Sequence, residues 1–99
     1  MLTIGHIVHY TLSASDAEAI NRRRSDFSTF LSAAPKGVGY VGHVGNYVDV
    51  GEVYPAVIVR IFGANSANLQ VLLDGNDTYW ATSRVEGEGP NTWKWPDRV

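Results

Sequence analysis

Apolar and polar residues alternate along the first part of the chain. In the segment HIVHYTLS, apolar or aromatic residues stand at every second position: Val8, Tyr10 and Leu12. A period of two built from β-branched and aromatic residues is typical of a strand with one buried face. We therefore expect a strand from Ile4 to Leu12.

The pattern then changes to a helical period. Ser15 is followed three residues later by Glu18, which is the spacing of a capping box at a helix start. The helix is predicted to begin near Asp16 and to run to about Ala34, because Pro35 has no backbone amide and disfavours helical angles in the residue before it. On a helical wheel one face is apolar. Its members are Ala17, Ile20, Phe27, Leu31 and Ala34.

Three consecutive arginines interrupt this apolar face. Arg24 falls within it, Arg23 lies at its edge and Arg22 points away from it. A buried guanidinium group needs a partner, because an unpaired buried charge is strongly unfavourable. Two interpretations remain open: Arg24 is paired with a local acid, such as Asp26 or Glu52, or it contacts an external anion at a subunit boundary.

The C-terminal half predicts three antiparallel strands in succession. From Pro55 to Phe62 apolar side chains point to both sides, so that both faces are expected to be largely covered. The segment LQVLL forms the next strand, and TYWATSRV returns after a hairpin signal at Asp74 and Gly75.

The segment between Gly37 and Gly51 is rich in glycine, but it lacks the lysine and the following helix that a phosphate-binding loop requires. We expect a flexible or bulged strand there. The fold class is then α+β: a small SH3-like antiparallel β-barrel of about five strands, with one α-helix inserted after the first strand. The tail is too rich in glycine and proline for an element of its own, and Trp93 and Trp95 are expected to clamp it down.

Composition limits the class of protein. Ninety-nine residues, 44% of them apolar, make a single domain, residues 1–99. A net charge of −2 gives no general attraction to nucleic acid or anionic lipid. The absence of cysteine excludes disulfides and thiolate metal sites. No signal peptide or membrane-spanning apolar run is apparent, so a cytoplasmic protein is expected.

The sequence does not predict catalysis. His6, His9 and His43 have no metal-binding spacing, the acids are scattered, and the serines lack a base partner. We therefore predict neither an enzyme nor a cofactor or metal site.

The hairpin NLQVLLDGNDTYWATSR instead carries groups that stack on bases and hold phosphates. On a regular strand Trp80 and Arg84 share a face, with Thr82 between them. The alternative interpretation is a core tryptophan and a solvated arginine. The predicted ligand-binding residues combine the hairpin with the arginine cluster: Arg22, Arg23, Arg24, Asn76, Tyr79, Trp80 and Arg84.

The chain resembles a recurrent small protein of phages and prophages over nearly its whole length. Four segments carry this resemblance: VHYTLSASDAEAINRRR, GEVYPAVIVRIFG, NLQVLLDGNDTYWATSR and PNTWKWP. By class, the chain is similar to phage anti-defence sponges of the anti-Thoeris and anti-CBASS type. These oligomers sequester immune signalling nucleotides such as cyclic ADP-ribose isomers and cyclic oligonucleotides. The resemblance implies a homo-oligomer in the host bacterial cytoplasm that binds a small nucleotide, and it transfers no binding residue.

Two other functions are weighed against this one. The protein could be a phage structural or accessory module that docks onto another protein through its barrel. It could also be a small nucleic-acid-binding barrel, which the acidic charge balance disfavours.

Overall fold

The computed structural model of the protein describes residues 2–33 and 45–97. Five strands and one helix follow one another along the chain: β1 (Ile7–Thr11), α1 (Ala14–Ala33), β2 (Val53–Ile61), β3 (Ser66–Leu72), β4 (Thr78–Glu86) and β5 (Thr92–Lys94). The strands form a closed barrel in the order β1-β2-β3-β4-β5. The predicted fold, a five-stranded barrel with a helix after the first strand, is confirmed.

Strand β1 follows the predicted alternation. Val8 and Tyr10 point into the barrel and are fully buried, as is Leu12 just beyond the strand. The strand is shorter than predicted at its N-terminal end. Gly5 has a φ of +93°, and the amide of His6 donates to the carbonyl of Thr3 at 3.1 Å, so the chain turns before the strand begins.

Helix α1 begins two residues before the predicted position, because a different serine caps it. The amide of Asp16 donates to the Ser13 hydroxyl oxygen at 3.1 Å, and the Ser13 amide donates to the Asp16 carboxylate at 3.0 Å. This reciprocal pair is a capping box. Ser13 and Asp16 have the same spacing as Ser15 and Glu18, and burial of Asp16 against the barrel decides between the two.

The first part of the predicted helix face packs against the barrel, whereas the side chains of Phe27, Leu31 and Ala34 lie outside the described residues. Ala17, Ile20 and Arg24 are buried. Asn21 adds a second attachment: its side-chain amide donates to the Val48 carbonyl at 2.7 Å and accepts from the Val48 amide at 2.8 Å. The helix therefore lies on the barrel with both apolar and charged groups in the contact.

Strands β2 and β3 pair with a bulge at Val59, where the register shifts between Ile58 and Arg60. The prediction that both faces of β2 are largely covered is wrong. Ala56 and Ile58 are buried in the core, whereas Val59 and Phe62 are exposed. The bulge changes which residues point inward, so that Ile61 packs against the core.

The fifth strand comes from the tail, contrary to prediction. Thr92–Lys94 forms β5, antiparallel to β1 and parallel to β4, and closes the barrel. Trp93 fills the interior, and Trp95 packs edge-on against it with ring centroids 5.6 Å apart. The predicted clamp is confirmed. Of the glycine-rich segment predicted as a strand, residues 37–44 lie outside the described residues, and residues 45–51 contribute only a bridge between Gly45 and Gly75.

Candidate ligand-binding site

Two neighbouring arginines of α1 converge on one carboxylate. An oxygen of Asp77 lies 2.9 Å from Nη1 of Arg24, and its other oxygen lies 3.1 Å from Nη2 of Arg23. The side chain of Arg24 is only 3% exposed, whereas that of Arg23 is 29% exposed. We call these three residues the Asp77 cluster.

The loop between β3 and β4 places Asp77 against the helix. Its backbone is fixed by Gly45 and Asn46: the Asn46 amide donates to the Asp74 carbonyl at 3.1 Å, and the Asn46 side chain donates to the Asp74 carboxylate at 2.7 Å. A Cβ atom at Gly45 would lie 2.4 Å from the Asp74 carbonyl oxygen and 2.8 Å from Nη2 of Arg24. Only glycine fits there, so Arg24 lies tightly under this loop.

The Asp77 cluster contains more donors than acceptors. Nε and Nη2 of Arg24 and Nε of Arg23 are buried and have no hydrogen-bond partner within the described part of the chain. Buried polar groups in folded proteins are nearly always hydrogen-bonded. Two guanidinium groups therefore share one described carboxylate, and three of their nitrogens lack an acceptor.

Arg23 links this cluster to the start of β4. Both of its terminal nitrogens lie 3.4 Å from the Thr78 carbonyl oxygen, and its guanidinium group lies 5.8 Å from the centre of the Tyr79 ring. Because its side chain is partly exposed, Arg23 is the member of the cluster that an external ligand can reach.

A second buried charge cluster consists of Tyr10, Asp16 and Arg84, and we call it the Asp16 cluster. The Tyr10 hydroxyl donates to Asp16, Nε of Arg84 donates to the Tyr10 oxygen at 2.8 Å, and Nη2 of Arg84 donates to Asp16 at 3.0 Å. The remaining nitrogen of Arg84 donates to the Thr82 carbonyl at 2.6 Å. Every guanidinium nitrogen of Arg84 thus has an acceptor.

The Asp16 cluster shifts the pKa values of its members. Burial and the hydrogen bond to Asp16 raise the pKa of Tyr10 well above its ordinary value. Burial alone would raise the pKa of Asp16, but the hydrogen bonds from Tyr10 and Ser13 lower it on balance. Asp16 therefore stays ionised and Tyr10 stays protonated, which is the state that the hydrogen bonds require.

Trp80 and Arg84 do not share a face, so that prediction is wrong. The pairing of β3 with β4 shifts between Ala67 and Leu69, and the Ser83 amide, at a φ of +53°, donates to the Asn68 side chain at 2.7 Å. This bulge reverses the alternation. Arg84 turns inward to the Asp16 cluster, while Trp80 points outward and is 60% exposed.

Trp80 points outward from the barrel wall, where exposed apolar residues also occur on the other strands. Gln70 of β3 is its cross-strand neighbour, and Val57 of β2 and Ile7 of β1 continue the same row of paired positions around the barrel. Val53 and Leu72 are also exposed. The interpretation of Trp80 as a core residue is therefore excluded.

The remaining predicted site residues are more peripheral. Arg22 is exposed and forms an ion pair with Glu18 one helical turn earlier, at 2.7 Å. Asn76 is exposed in the loop next to Asp77. The structure thus brings Arg23 and Arg24 together at Asp77 and places Tyr79 against Arg23. Trp80 lies on the outer wall, and Arg84 belongs to a different cluster.

The sequence suggests Asp26 or Glu52 as the acid that pairs with Arg24, whereas the partner within the described residues is Asp77. Glu52 instead accepts from the Tyr54 hydroxyl at 3.0 Å, and the side chain of Asp26 lies outside the described residues. Sequence reasoning also missed Tyr10 and Asp16. Asp16 precedes Ile20 by four residues and so lies on the same helix face. This spacing indicates that the Asp16 carboxylate faces the barrel.

Three comparisons with known proteins give no relative: no family model, no curated protein and no solved structure matches the chain. Within residues 2–33 and 45–97, no three histidine or acidic side chains come together as a metal site. The same residues include no helix with the length and hydropathy that a membrane crossing requires.

Proposed function

We propose that the protein binds and sequesters a small nucleotide without catalysis. In the form suggested by the sequence resemblance, it is a phage anti-defence protein that acts in the host bacterial cytoplasm. Its ligand would be an immune signalling nucleotide, either a cyclic ADP-ribose isomer or a cyclic oligonucleotide. The observation that supports this function best is the pair of arginines on a single described carboxylate, next to the strand that carries an exposed tryptophan.

Charge favours an anionic ligand at the Asp77 cluster. Arg23 and Arg24 carry two positive charges against the one negative charge of Asp77, and the unpartnered nitrogens are strong hydrogen-bond donors. Guanidinium groups match phosphate oxygens in geometry as well as in charge. A phosphate at this position would supply acceptors that the described residues do not.

Trp80 supplies an exposed stacking surface on the strand whose start Arg23 contacts. It follows Asp77 by three residues, which corresponds to about 10 Å along an extended strand. A base stacked on an aromatic side chain contributes about 1–3 kcal/mol to binding. A nucleotide could therefore place its base on Trp80 and its phosphate beside Arg23.

This arrangement also favours a homo-oligomer. The Asp77 cluster lies between α1 and the loop after β3, Trp80 lies on the outer wall of the barrel, and the described residues around them do not enclose a ligand. Ligands of this size are usually buried in concave sites, which small domains commonly form between subunits. In the proposed assembly a second copy would cover the ligand.

A thermal-shift panel of cyclic ADP-ribose isomers and cyclic oligonucleotides tests the proposal, with the mass of the assembly measured in parallel. A ligand at one hundred times its Kd stabilises a protein by about 2.7 kcal/mol, which raises Tm by about 10 °C or more in a domain of this size. Trp80→Ala is expected to lose most of this shift. Phe62→Ala is the matched control, because Phe62 is similarly exposed but lies beyond the end of β2.

A nucleotide that stabilises wild type and Phe62→Ala, and Trp80→Ala much less, would support the proposed function. If none of the nucleotides changes Tm and the protein is a monomer, the proposed function is wrong.

The outer face around Trp80 supports a second candidate, a phage structural or accessory module. Ile7, Val53, Leu72 and Trp80 are all at least 40% exposed. They stand on four successive strands, and exposed apolar side chains are typical of protein-binding surfaces. Stoichiometric amounts of the chain in purified phage particles, together with no nucleotide response, would favour this function over the first.

A further inference from the structure

We infer that Asp77 occupies the phosphate position in the ligand-free protein, and that the ligand binds by exchanging its phosphate for this carboxylate. The inference rests on the proposed function and adds to it the chemistry of the bound group: a phosphate or pyrophosphate that carries at least two negative charges. Asp77 is then an internal competitor that sets the affinity of the site.

The contacts of Asp77 resemble those of a bound anion. Its two oxygens are divided between two guanidinium groups, at 2.9 Å from Arg24 and 3.1 Å from Arg23. A carboxylate offers only two oxygens, and three nitrogens of these arginines have no acceptor in the described ranges 2–33 and 45–97. A phosphate has more oxygens and more charge, so it is a better match for the same pair.

The chain around Asp77 allows the exchange. Asp77 lies in the short connection between β3, which ends at Leu72, and β4, which begins at Thr78. Its side chain is 12% exposed and thus reaches the surface, whereas Asp16 of the other cluster is fully buried. Because Asp77 lies outside both strands, the exchange replaces the contacts of its side chain without unpairing either strand.

The exchange requires a net gain in charge interaction. A ligand carrying a single negative charge would replace Asp77 with no electrostatic advantage and would also leave that carboxylate near other negative charge. A dianionic phosphate neutralises both arginines. The site is therefore expected to discriminate by charge, with pyrophosphate preferred over chloride or acetate.

The test is isothermal titration of inorganic pyrophosphate into wild type, Asp77→Asn and Asp74→Asn. Asp77→Asn removes the competing charge and is expected to bind pyrophosphate about tenfold more tightly than wild type, because like charges held next to each other are costly. Asp74→Asn is the matched control. It lies in the same loop and removes the same charge, while its side-chain oxygen can still accept the hydrogen bond from Asn46, and it is expected to gain clearly less affinity than Asp77→Asn.

Equal or weaker binding by Asp77→Asn would overturn the inference, and so would an equal gain in Asp74→Asn. If Asp77→Asn does not fold, carboxyl-carbon NMR of the wild type gives the answer. Added pyrophosphate is expected to shift the Asp77 carboxyl resonance and to leave that of Asp16 in place. An unchanged Asp77 resonance overturns the exchange.

The same variants separate this inference from the proposed function. If a nucleotide stabilises wild type through Trp80 and binds Asp77→Asn no more tightly, the exchange is wrong and the proposed function stands. If Asp77→Asn gains affinity for pyrophosphate but no nucleotide stabilises wild type, the proposed function is wrong and the anion exchange stands.

Discussion

The two charge clusters between the helix and the barrel differ in how their donors and acceptors are matched. In the Asp16 cluster one arginine faces one carboxylate, and each of the three nitrogens of Arg84 donates to an acceptor. In the Asp77 cluster two arginines share one carboxylate, and three nitrogens have no acceptor among the residues described. The first arrangement is complete within the fold, and the unmatched donors of the second are the basis of the proposed anion site. Both clusters bury charged groups, so burial alone does not distinguish them. The feature that supports the proposed ligand site is the excess of hydrogen-bond donors over described acceptors in the Asp77 cluster.

The largest predicted effect is the loss of the Asp16 carboxylate. Asp16→Asn keeps the volume of the side chain but leaves Arg84 without its counter-ion. Removal of one partner of a buried pair costs about 3–5 kcal/mol, which lowers Tm by about 12 °C or more in a domain of this size. Thermal unfolding followed by circular dichroism measures this decrease in Tm.

The matched control for that experiment is Glu18→Gln on the same helix. Glu18 pairs with Arg22 at the surface, where both side chains are mostly exposed, and its loss is expected to change stability by less than about 1 kcal/mol. Equal effects of the two substitutions would contradict the structural role assigned to Asp16.

Low pH is predicted to destabilise the folded protein through the Asp16 cluster. The pKa of Asp16 is lowered in the folded protein, because the hydrogen bonds from Tyr10 and Ser13 outweigh its burial. A lowered folded pKa gives stability that is present above the unfolded value, about 3.9, and is lost as the pH falls below it. The Tm of wild type should therefore fall more steeply below about pH 4 than that of Asp16→Asn. Parallel curves of Tm against pH for the two proteins would show that other carboxylates cause the loss of stability.

An intermediate effect is expected from the bulge that assigns Arg84 to the Asp16 cluster. Asn68 is buried and accepts a hydrogen bond from the Ser83 amide at 2.7 Å. Asn68→Ala leaves that amide without its partner and should cost about 1–3 kcal/mol. Chemical denaturation measures the change. A cost below about 0.5 kcal/mol would mean that the bulge does not depend on this contact.

The sequence predicted the barrel, the helix and the buried face of the helix because each depends on the spacing of apolar residues along a short segment of the chain. The alternation of Val8, Tyr10 and Leu12 and the position of Arg24 within the apolar face were both correct. The bulges at Val59 and Ser83 could not be predicted, since a bulge depends on which residue of the partner strand accepts the displaced amide. The error about Trp80 and Arg84 follows directly from the second bulge.

The candidate site was predicted in part for the same reason. Arg23, Arg24 and Tyr79 could be proposed from their chemistry, but Asp77 is far from the arginines along the chain and meets them only when the hairpin folds against the helix. The tail strand β5 was missed because its three residues pair through β1 and β4, and no local pattern of their own marks them.

The most direct test of the account compares the stabilisation by pyrophosphate of Arg24→Met and Arg84→Met. Methionine keeps much of the apolar volume of each side chain and removes its charge. The account predicts that Arg84→Met is the less stable protein without ligand but gains as much in Tm from pyrophosphate as wild type does, whereas Arg24→Met gains little or nothing. Equal gains in both variants, or a gain lost only in Arg84→Met, would contradict the assignment of the anion site to the Asp77 cluster.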